Sequence, residues 1–580
     1  MTTLSCIPYA VGHRDEGVCL GIEIGAHRIL LDCGLDDVSP LLLDEPWDAV
    51  VCSHAHADHA RGLLALRHHL PDLPIYTSLA TAMLVSLNWP EAEVSAHNIA
   101  EGLPWRMPVV IPPRLSVQQA AAIAPLSDRL TVELWPAGHL PGAAATLLTY
   151  QNPTECYRVL HLGDCFLSAM RLVEGLPLMA LRGLEPDVLI VDGTYGAQRY
   201  PHRRRQENDL TARLRHLLDV GGRSRVVFPV PTLGLGQELL MLLRSHYHTA
   251  GYPVTIWVDP IVAKGCDAYL AMPEALSLPV QNFAQNQSVF WDDRVFPHVR
   301  RLSDRAELTE ALARDEPAIF LVHPATPPMT YCQDATATWT VFLLETGLAA
   351  GNLAVWQAEH PGPESDRPVP YDWLDAIKNA TASGTVQLET YRLTDHCDGA
   401  STTQIIHNLK PRHVILQHGD PTNLAALANL ETLQTRYKLH LPTPQQTLKL
   451  PLDTQFWRHP QPMPPPDSAI YEGELSAPST QSDITLTLPA DVTVDPRWRG
   501  FAETGLVTAQ WQGDKLVIQG VAPGDLVNVR SHDPLQDTVR PICANCQGLQ
   551  GQTCRQTTSP LFNKVVALDA TCPEFRPPSP

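Results

Sequence analysis

The chain contains many short, continuous apolar runs, which are typical of strands buried on both faces of a sheet. They occur at 48–52, 159–163, 187–191, 225–230, 253–258, 318–322, 353–356 and 412–416. Segments with an apolar stripe at helical spacing lie between several of them, at 61–70, 237–244 and 400–409. Because strands alternate with helices, the pattern predicts parallel βαβ units and an α/β fold.

Four side chains that can bind a metal ion follow the first of these runs. They are His54, His56, Asp58 and His59, on the turn between the predicted strand and the next helix. His54 and His56 are two residues apart, so an extended backbone directs both to the same side. Three imidazoles and a carboxylate suit zinc, with manganese and iron as alternatives. A solvated, histidine-rich turn is the other interpretation, but only alanines separate these residues.

Three further side chains of this kind stand where other predicted strands end. They are His139, Asp164 and His418. The carboxyl ends of strands are where α/β sheets place their chemistry. Taken singly, His139 also fits a turn residue, Asp164 a helix cap, and His418 a capping or core histidine.

Taken together, these motifs resemble those of metallo-β-lactamase-fold hydrolases. The remainder of the set resembles the β-CASP branch, the nucleases that include RNase J and the eukaryotic pre-mRNA cleavage endonuclease. The resemblance extends over residues 1–450, and its motifs appear in order along the chain. They are Ile29–Gly34, where Asp32 would support the metal loop, His54–His59, Gly138–His139, Gly163–Asp164, Asp192–Gly196, Asp395–Asp398 and Gln417–Gly419.

The resemblance implies a metallo-β-lactamase αββα sandwich with an inserted β-CASP α/β domain, and a site with two zinc ions. The implied ligands are His54, His56 and His139 for one ion, Asp58, His59 and His418 for the other, and Asp164 as a bridge. A hydroxide activated by the two zinc ions would hydrolyse a phosphodiester. Asp58, Asp192 and His396 are the implied catalytic residues, with His396 donating a proton to the leaving 3′-oxygen and Asp192 orienting His396.

RNA, in preference to DNA, is the substrate that the resemblance implies, in RNA processing or decay. Exonuclease and endonuclease activity both remain open. A non-catalytic scaffold of an RNA-processing complex is an alternative, but such a protein would be expected to lack metal ligands. A hydrolase of a small thioester or phosphoester is another, but a small substrate does not need a second α/β domain over the site.

Composition shifts and motif positions predict five segments. They are a first metallo-β-lactamase part at 1–203, a β-CASP cap at 204–378, a return segment at 379–450, a proline-rich linker at 451–482, and a small β-rich domain at 483–580. Two positions in the cap depart from the family pattern. Leu235 stands where the family carries an arginine, and the segment 323–329 differs from the family's small-residue motif.

The last segment ends in four cysteines, Cys543, Cys546, Cys554 and Cys572. Four thiols that begin with a C-x-x-C pair suit a structural zinc ion or an iron–sulfur cluster. The spacing matches neither a regular zinc ribbon nor a common ferredoxin, so unligated thiols or a redox disulfide are the alternatives. A homodimer through this C-terminal region is also conceivable.

Composition and charge bear on localisation and on binding partners. The 580 residues carry a net charge of −20, and mean hydropathy is −0.10. The sequence offers no apolar run of membrane-spanning length and no secretory signal, which predicts a cytoplasmic protein with no membrane partner. The negative net charge argues against nucleic-acid binding in general, although it does not describe one groove. An arginine-rich stretch that starts at Arg199 is either a nucleic-acid path or a solvated helix face.

Overall fold

The apolar runs form the strands of three sheets in the computed structural model. It describes residues 4–451 except 14–15, 44, 90–98, 114–127, 220–222, 304, 333–335 and 346–373, and beyond 451 only six short strands. The strands of the first unit, residues 1–457, are β1 (Leu4–Val11), β2 (Val18–Ile24), β3 (His27–Leu31), β4 (Ala49–Val51), β5 (Ile75–Ser78), β6 (Glu101–Leu103), β7 (Val109–Ile111), β8 (Arg129–Pro136), β9 (Ala144–Gln151), β10 (Cys156–His161), β11 (Val188–Asp192), β12 (Ser224–Pro229), β13 (Thr255–Val258), β14 (His298–Arg301), β15 (Ala318–Val322), β16 (Thr338–Glu345), β17 (Val386–Arg392), β18 (His413–Gln417), β19 (Lys438–His440) and β20 (Leu448–Lys449).

The α-helices of this unit alternate with the strands. In chain order they are α1 (Ser39–Leu42), α2 (Ala57–Ala60), α3 (Leu63–His69), α4 (Leu79–Leu84), α5 (Leu178–Leu181), α6 (Arg203–Asp219), α7 (Leu235–Ser245), α8 (Pro260–Leu270), α9 (Leu278–Ala284), α10 (Arg305–Ala313), α11 (Leu374–Ala382), α12 (Gly399–Leu409), α13 (Pro421–Ala428) and α14 (Glu431–Gln434). None of the described helices is long and apolar enough to cross a membrane.

Two seven-stranded sheets pack against each other in the first region. Their orders are β20-β1-β2-β3-β4-β5-β6 and β19-β18-β11-β10-β9-β8-β7. Apolar side chains from both sheets, such as Ile22 and Ile190, are fully buried between them. Helix α3 covers the outer face of the first sheet through Leu63 and Leu66, and helix α12 covers the second through Ile405. The expected αββα sandwich is therefore confirmed.

A third sheet, with order β14-β13-β15-β12-β16-β17, forms the cap, and all of its strand pairs are parallel. Helices α6, α7 and α8 cover one face, whereas α10 and α11 cover the other. Strand β17 pairs with β16 from Trp339↔Val386 to Glu345↔Arg392. The chain therefore returns to the first region after this strand, rather than at residue 379. The pattern did not predict β16, and the predicted strand at 353–356 lies outside the described residues.

Strands β10, β11 and β18 run parallel, so their carboxyl ends meet at one edge of the second sheet. Asp164 follows β10, Asp192 ends β11, and His418 follows β18. Strand β4 of the facing sheet ends three residues before His54. Parallel pairing thus brings motifs that are hundreds of residues apart to one edge of the sandwich.

The second unit, residues 458–580, contains the remaining strands. They are β21 (Glu474–Ser476), β22 (Thr485–Thr487), β23 (Val507–Gln512), β24 (Lys515–Gly520), β25 (Leu549–Gln550) and β26 (Thr553–Cys554), which pair as three antiparallel hairpins. The predicted strands at 483–488, 505–511 and 515–518 correspond to β22, β23 and β24. Strand β21 lies inside the segment predicted as a linker. Cys543, Cys546, Cys572 and the side chain of Cys554 lie outside the described residues, so their ligation stays a prediction.

Candidate metal centre

A buried aspartate fixes the histidine-rich turn. Asp32 has a left-handed backbone (φ 59°) and is fully buried. Its Oδ1 accepts a hydrogen bond from the Ser53 amide at 2.6 Å, and its Oδ2 accepts one from the Ser53 hydroxyl at 2.9 Å. Oδ2 also lies 2.8 Å from His59 Nδ1, which leaves Nε2 of that ring to face the centre. Asp32 thus orients the turn, as the resemblance implied.

Close backbone packing holds the same turn in place. A Cβ atom built on Gly34 would lie 1.7 Å from the Asp58 carbonyl oxygen. Only glycine permits this approach. The loop after β3 and the start of α2 therefore touch backbone to backbone, which sets the position of Asp58.

Three imidazoles and a carboxylate form the first ligand group. His54 Nε2 and His139 Nε2 each lie 3.1 Å from His56 Nδ1. Asp164 Oδ2 lies 3.5 Å from His54 Nε2 and 3.9 Å from His139 Nε2. Ligands at zinc–nitrogen distances in a tetrahedron are about 3.3 Å apart, so these atoms have the spacing of a tetrahedral set.

The second ligand group shares Asp164. Its Oδ1 lies 3.3 Å from His59 Nε2, and its Oδ2 lies 3.7 Å from His418 Nε2. Asp58 Oδ2 completes the group, at 3.2 Å from His418 Nε2 and 3.8 Å from His59 Nε2. The potential ligand atoms of each group lie within 4.8 Å of one another. Because one carboxylate belongs to both groups, two ions held there would be neighbours.

Two ligand atoms in this centre lack the partners that buried polar atoms normally have. His59 Nε2 and Asp164 Oδ1 are buried, and no well-aligned hydrogen bond satisfies either atom, although the two lie 3.3 Å apart. Leaving such atoms unpaired costs about 1–3 kcal/mol each. A cation between them would satisfy both, so the donor set fits a metal site on the chain's own geometry.

Protonation differs between the two groups. Burial lowers the pKa of His54 well below its ordinary value and that of His139 to about 4, so both rings are neutral with a free lone pair. Burial also acts against a charge on His59 and His418, but nearby carboxylates, chiefly Asp164, raise the pKa of His59 well above its usual range and that of His418 to about 9. The second group therefore favours positive charge, which a proton or a metal ion can supply.

A histidine–aspartate pair flanks the ligand groups. His396 Nδ1 lies 2.7 Å from Asp192 Oδ2, and His396 Nε2 lies 3.9 Å from Asp164 Oδ2. Burial disfavours a charged His396, but Asp192, Asp395 and Asp164 together raise its pKa well above the ordinary value. These carboxylates therefore favour the protonated form of His396, whose Nε2 is directed towards the shared carboxylate.

Two residues inside these motifs have contacts that the sequence did not reveal. The Thr194 hydroxyl lies 2.8 Å from His418 Nδ1 and also contacts Asp192. The Asp395 carbonyl oxygen accepts a hydrogen bond from His139 Nδ1 at 3.0 Å. Each fixes the ring nitrogen that faces away from the centre, which orients the other nitrogen as a ligand. Their positions beside predicted site residues were the only signal in the sequence.

A cleft between the first region and the cap leads to the centre. His56, His139 and Leu140 form one side, whereas Leu233, Gly234 and Leu235, which follow β12, form the other. Arg203 of α6 also lines it. Gly234 has φ 91°, and a side chain there would contact Leu140, so the glycine lets the two sides approach. Leu235 makes this part of the cleft apolar where the family pattern carries an arginine.

Two family models match the chain. A beta-lactamase superfamily domain matches residues 27–227, and a "Zn-dependent metallo-hydrolase RNA specificity domain" matches residues 385–442. An uncharacterized protein of Synechocystis, sll0514, is 41% identical over 99% of this chain and 96% of its own length. Transcription termination factor FttA of Methanothermobacter thermautotrophicus is 26% identical, over 75% of this chain and 69% of its own. The chain belongs to the β-CASP branch of the metallo-β-lactamase superfamily. Another relative, probable RNase MJ4 of Methanocaldococcus jannaschii, is 29% identical over 39% of this β-CASP chain and 54% of its own length.

The arginine-rich stretch of this β-CASP protein divides into two groups. One group is bonded within the fold: Arg203 to Glu207, Arg213 to Glu389, Arg215 to Asp219, Arg223 to Asp315, and Arg225 to backbone carbonyls. The other group, Arg199, Arg204 and Arg205, is exposed and forms no ion pair with a described residue. The two interpretations, a nucleic-acid path or a solvated helix face, therefore both remain for the exposed group, whereas the bonded arginines stabilise the fold.

Proposed function

We propose that this protein is a zinc-dependent ribonuclease that hydrolyses internal or terminal phosphodiesters of RNA. One observation carries the proposal: two groups of potential ligands share Asp164 at the base of a cleft, beside the His396–Asp192 pair. The set matches what in-line hydrolysis of a phosphodiester requires, namely metal ligands on one side and a proton donor on the other.

The proposed roles follow from the contacts. His54, His56 and His139 would hold one ion, Asp58, His59 and His418 would hold the other, and Asp164 belongs to both groups. Bound ions of this kind acidify a water molecule for attack and neutralise charge on the phosphoryl oxygens. His396 donates its Nε2 proton to the leaving 3′-oxygen. Asp192 accepts the hydrogen bond from Nδ1 and keeps the ring charged. The products are a 5′-phosphate and a 3′-hydroxyl.

The proposal specifies zinc as the metal and RNA as the substrate. A ligand set rich in neutral imidazole suits zinc, and manganese or iron would accept the same donors. RNA is supported by the description of the domain model at residues 385–442 and by the name of the Methanocaldococcus relative. DNA remains the comparison substrate for the test.

The other functions considered explain less of the site. A scaffold protein does not need two groups of potential ligands whose atoms lie within 4.8 Å of one another, which favours the enzyme. A hydrolase of small esters does not need a six-stranded cap over its centre.

The proposal is tested by incubating the full chain with end-labelled RNA, end-labelled DNA and bis(p-nitrophenyl) phosphate, with and without a chelator. Cleavage of RNA that chelation abolishes and added zinc restores is the expected result. Metal content is measured on the same preparation. Cleavage that resists chelation contradicts the metal centre, cleavage of DNA alone contradicts the substrate, and hydrolysis of only the small ester supports the small-molecule alternative.

A further inference from the structure

Four exposed basic residues form a surface beside the centre that the proposed reaction does not use. They are Arg199, His202, Arg204 and Arg205, hereafter the basic patch. None of them forms an ion pair with another described residue, whereas the arginines around them do. In a chain with a net charge of −20, three arginines without an ion pair in one short segment form a local positive surface that suits an anionic partner.

The segment that carries the basic patch is bonded to the His396 motif on both sides. The Tyr200 amide donates to Asp398 Oδ2 at 3.1 Å, and the Gly399 amide donates to the Gln198 carbonyl at 2.8 Å. On the other side, Gln206 exchanges hydrogen bonds with Thr394, at 2.8 Å from the Thr394 amide. The basic patch and His396 therefore keep a fixed relation to each other.

Arg203 links this segment to the cleft. Its guanidinium donates to the Thr394 carbonyl and pairs with Glu207, while its side chain lines the cleft that leads to His56 and His139. Arg204 and Arg205 follow directly in α6 and are exposed. A strand that leaves the cleft past Arg203 would therefore run beside the first turn of α6, which carries both exposed arginines.

The position beside His396 determines which part of a substrate the basic patch would face. In the proposed reaction, on which this inference rests, His396 gives its proton to the 3′-oxygen that leaves. That oxygen belongs to the nucleotide on the 5′ side of the broken bond. The strand upstream of the scissile phosphate must therefore begin at His396, on the side of the basic patch.

We propose that the basic patch binds the phosphates of single-stranded RNA upstream of the scissile bond, so that the protein cleaves within a strand rather than one nucleotide from a 5′ end. Removal of a single 5′ nucleotide would leave at most one terminal phosphate on the upstream side, whereas the patch offers three arginines. The overall negative charge does not oppose this binding, because the screening length at physiological ionic strength is about 8 Å and local charges dominate.

RNA substrates in which chosen phosphodiesters are replaced by uncharged linkages test the proposed phosphate contacts. Single-stranded RNAs of one sequence carry methylphosphonate linkages either upstream of a central phosphodiester, downstream of it, or nowhere. Cleavage of the central bond is measured from the product lengths with labels at both ends. We expect upstream neutralisation to lower kcat/KM of the wild type roughly 10-fold, mainly through KM, because a few exposed charge contacts are lost.

The double variant Arg204→Gln/Arg205→Gln should show a reduced kcat/KM on fully charged RNA. Neutral upstream linkages should then lower its kcat/KM clearly less than that of the wild type, because only Arg199 and His202 of the patch remain. Downstream neutralisation should affect both proteins equally. The slope of log binding constant against log salt should fall by about 1.4 for two lost phosphate contacts on a single strand. Arg204→Lys/Arg205→Lys, which keeps both charges, should largely restore the wild-type values.

Arg182→Gln is the matched control. Arg182 is also exposed and unpaired among the described residues, but it lies in the turn before the amino end of β11, at the sheet edge opposite Asp192. The Arg182→Gln variant should lose as much kcat/KM as the wild type when the upstream linkages are neutral. Its binding constant should also depend on salt as that of the wild type does. Circular dichroism of each variant excludes misfolding as the cause.

Three results would overturn the inference. The first is an upstream effect that persists unchanged in the double variant, and the second is a loss confined to downstream charge. The third is a wild type that releases only single nucleotides from the 5′ end. A wild type that cleaves no RNA at all would instead contradict the proposed function, so the two failures are distinguishable.

Discussion

Two buried aspartates, one in each region of the first unit, differ in what surrounds them. Asp164 of the sandwich and Asp259 of the cap are both 2% exposed, and both follow a parallel strand. Asp259 accepts hydrogen bonds from the Ile261 amide at 2.8 Å, from the Tyr331 hydroxyl at 2.9 Å, and from Thr326. Asp164 has histidines around it instead, and its Oδ1 has no hydrogen-bond partner among the described residues.

The difference teaches how to separate a structural carboxylate from a functional one. Burial of a carboxylate is costly unless hydrogen bonds or opposite charge offset it. Asp259 is satisfied by its own domain, so it caps a helix and stabilises the cap. Burial alone would raise the pKa of Asp164, but positive charge on His418 and His59 holds it well below its usual range. The surroundings of Asp164 therefore keep it negatively charged, and a charged carboxylate among imidazoles can bind a metal ion.

The largest expected effect is on Asp164 itself. Asp164→Asn removes the charge that both ligand groups share, so we expect RNA cleavage to fall by on the order of 10⁴-fold and metal content to drop. Asp259→Asn is the matched control, and it should lower stability by about 1–3 kcal/mol with the metal content retained. Cleavage assays, elemental analysis and urea unfolding measure these quantities. Equal metal loss in both variants would remove the distinction between the two aspartates.

Next in size is the effect of His396→Ala. Loss of the proton donor should slow cleavage ~10²–10³-fold while metal content stays as in the wild type. The buried cap histidine His246, whose nitrogens lie 3.0 Å from Thr211 Oγ1 and 2.7 Å from Asn208 Oδ1, provides the control. His246→Ala should change stability but not the rate per folded molecule. The His396→Ala variant should cleave a substrate whose leaving group needs no proton at close to the wild-type rate. If it does not, His396 has a role other than proton donation.

A smaller effect is expected for Asp32→Asn. Asp32 orients Ser53 and His59 through hydrogen bonds and is not a ligand in either group. Loss of such support typically costs 10–100-fold in metal affinity or activity. Zinc titration should therefore show weaker binding, and saturating zinc should restore much of the activity. A variant that remains inactive when its metal content is complete would contradict a purely orienting role.

The smallest effect concerns a histidine pair outside the centre. His440 Nε2 lies 2.9 Å from His413 Nδ1, and burial, followed by the charge of His413, lowers the pKa of His440 to about 4. Above pH 6.5 the ring is neutral in both states and contributes nothing. Between pH 6.5 and about 4, His440 is protonated in the unfolded chain but neutral in the folded chain. The free energy of unfolding therefore falls as the pH falls.

His440→Gln should therefore reduce the loss of stability between pH 7 and pH 4.5. Urea unfolding of the metal-free protein at the two values measures it, and comparison with the wild type cancels the contribution of the other histidines. An equal loss in both proteins would mean that His440 does not resist protonation.

The sequence determined the candidate ligands and the fold class. His54, His56, Asp58 and His59 were visible because they follow a strand-like run and have only alanines between them. Residues His139, Asp164 and His418 were visible because each follows a predicted strand, and α/β sheets carry their functional residues at strand ends. Local pattern sufficed for these predictions, since strand ends and motif spacing are properties of neighbouring residues.

Only the tertiary structure decided how these residues combine. It made Asp164 the shared member of both groups, placed Thr194 and Asp395 behind the ligand rings, and assigned β17 to the cap sheet. It also buried Arg203 against Glu207 while leaving Arg204 and Arg205 exposed. Each of these outcomes depends on which distant segment packs against a residue. Contacts between positions about 200 or more apart, such as His396 with Asp192, form only when the whole sandwich closes.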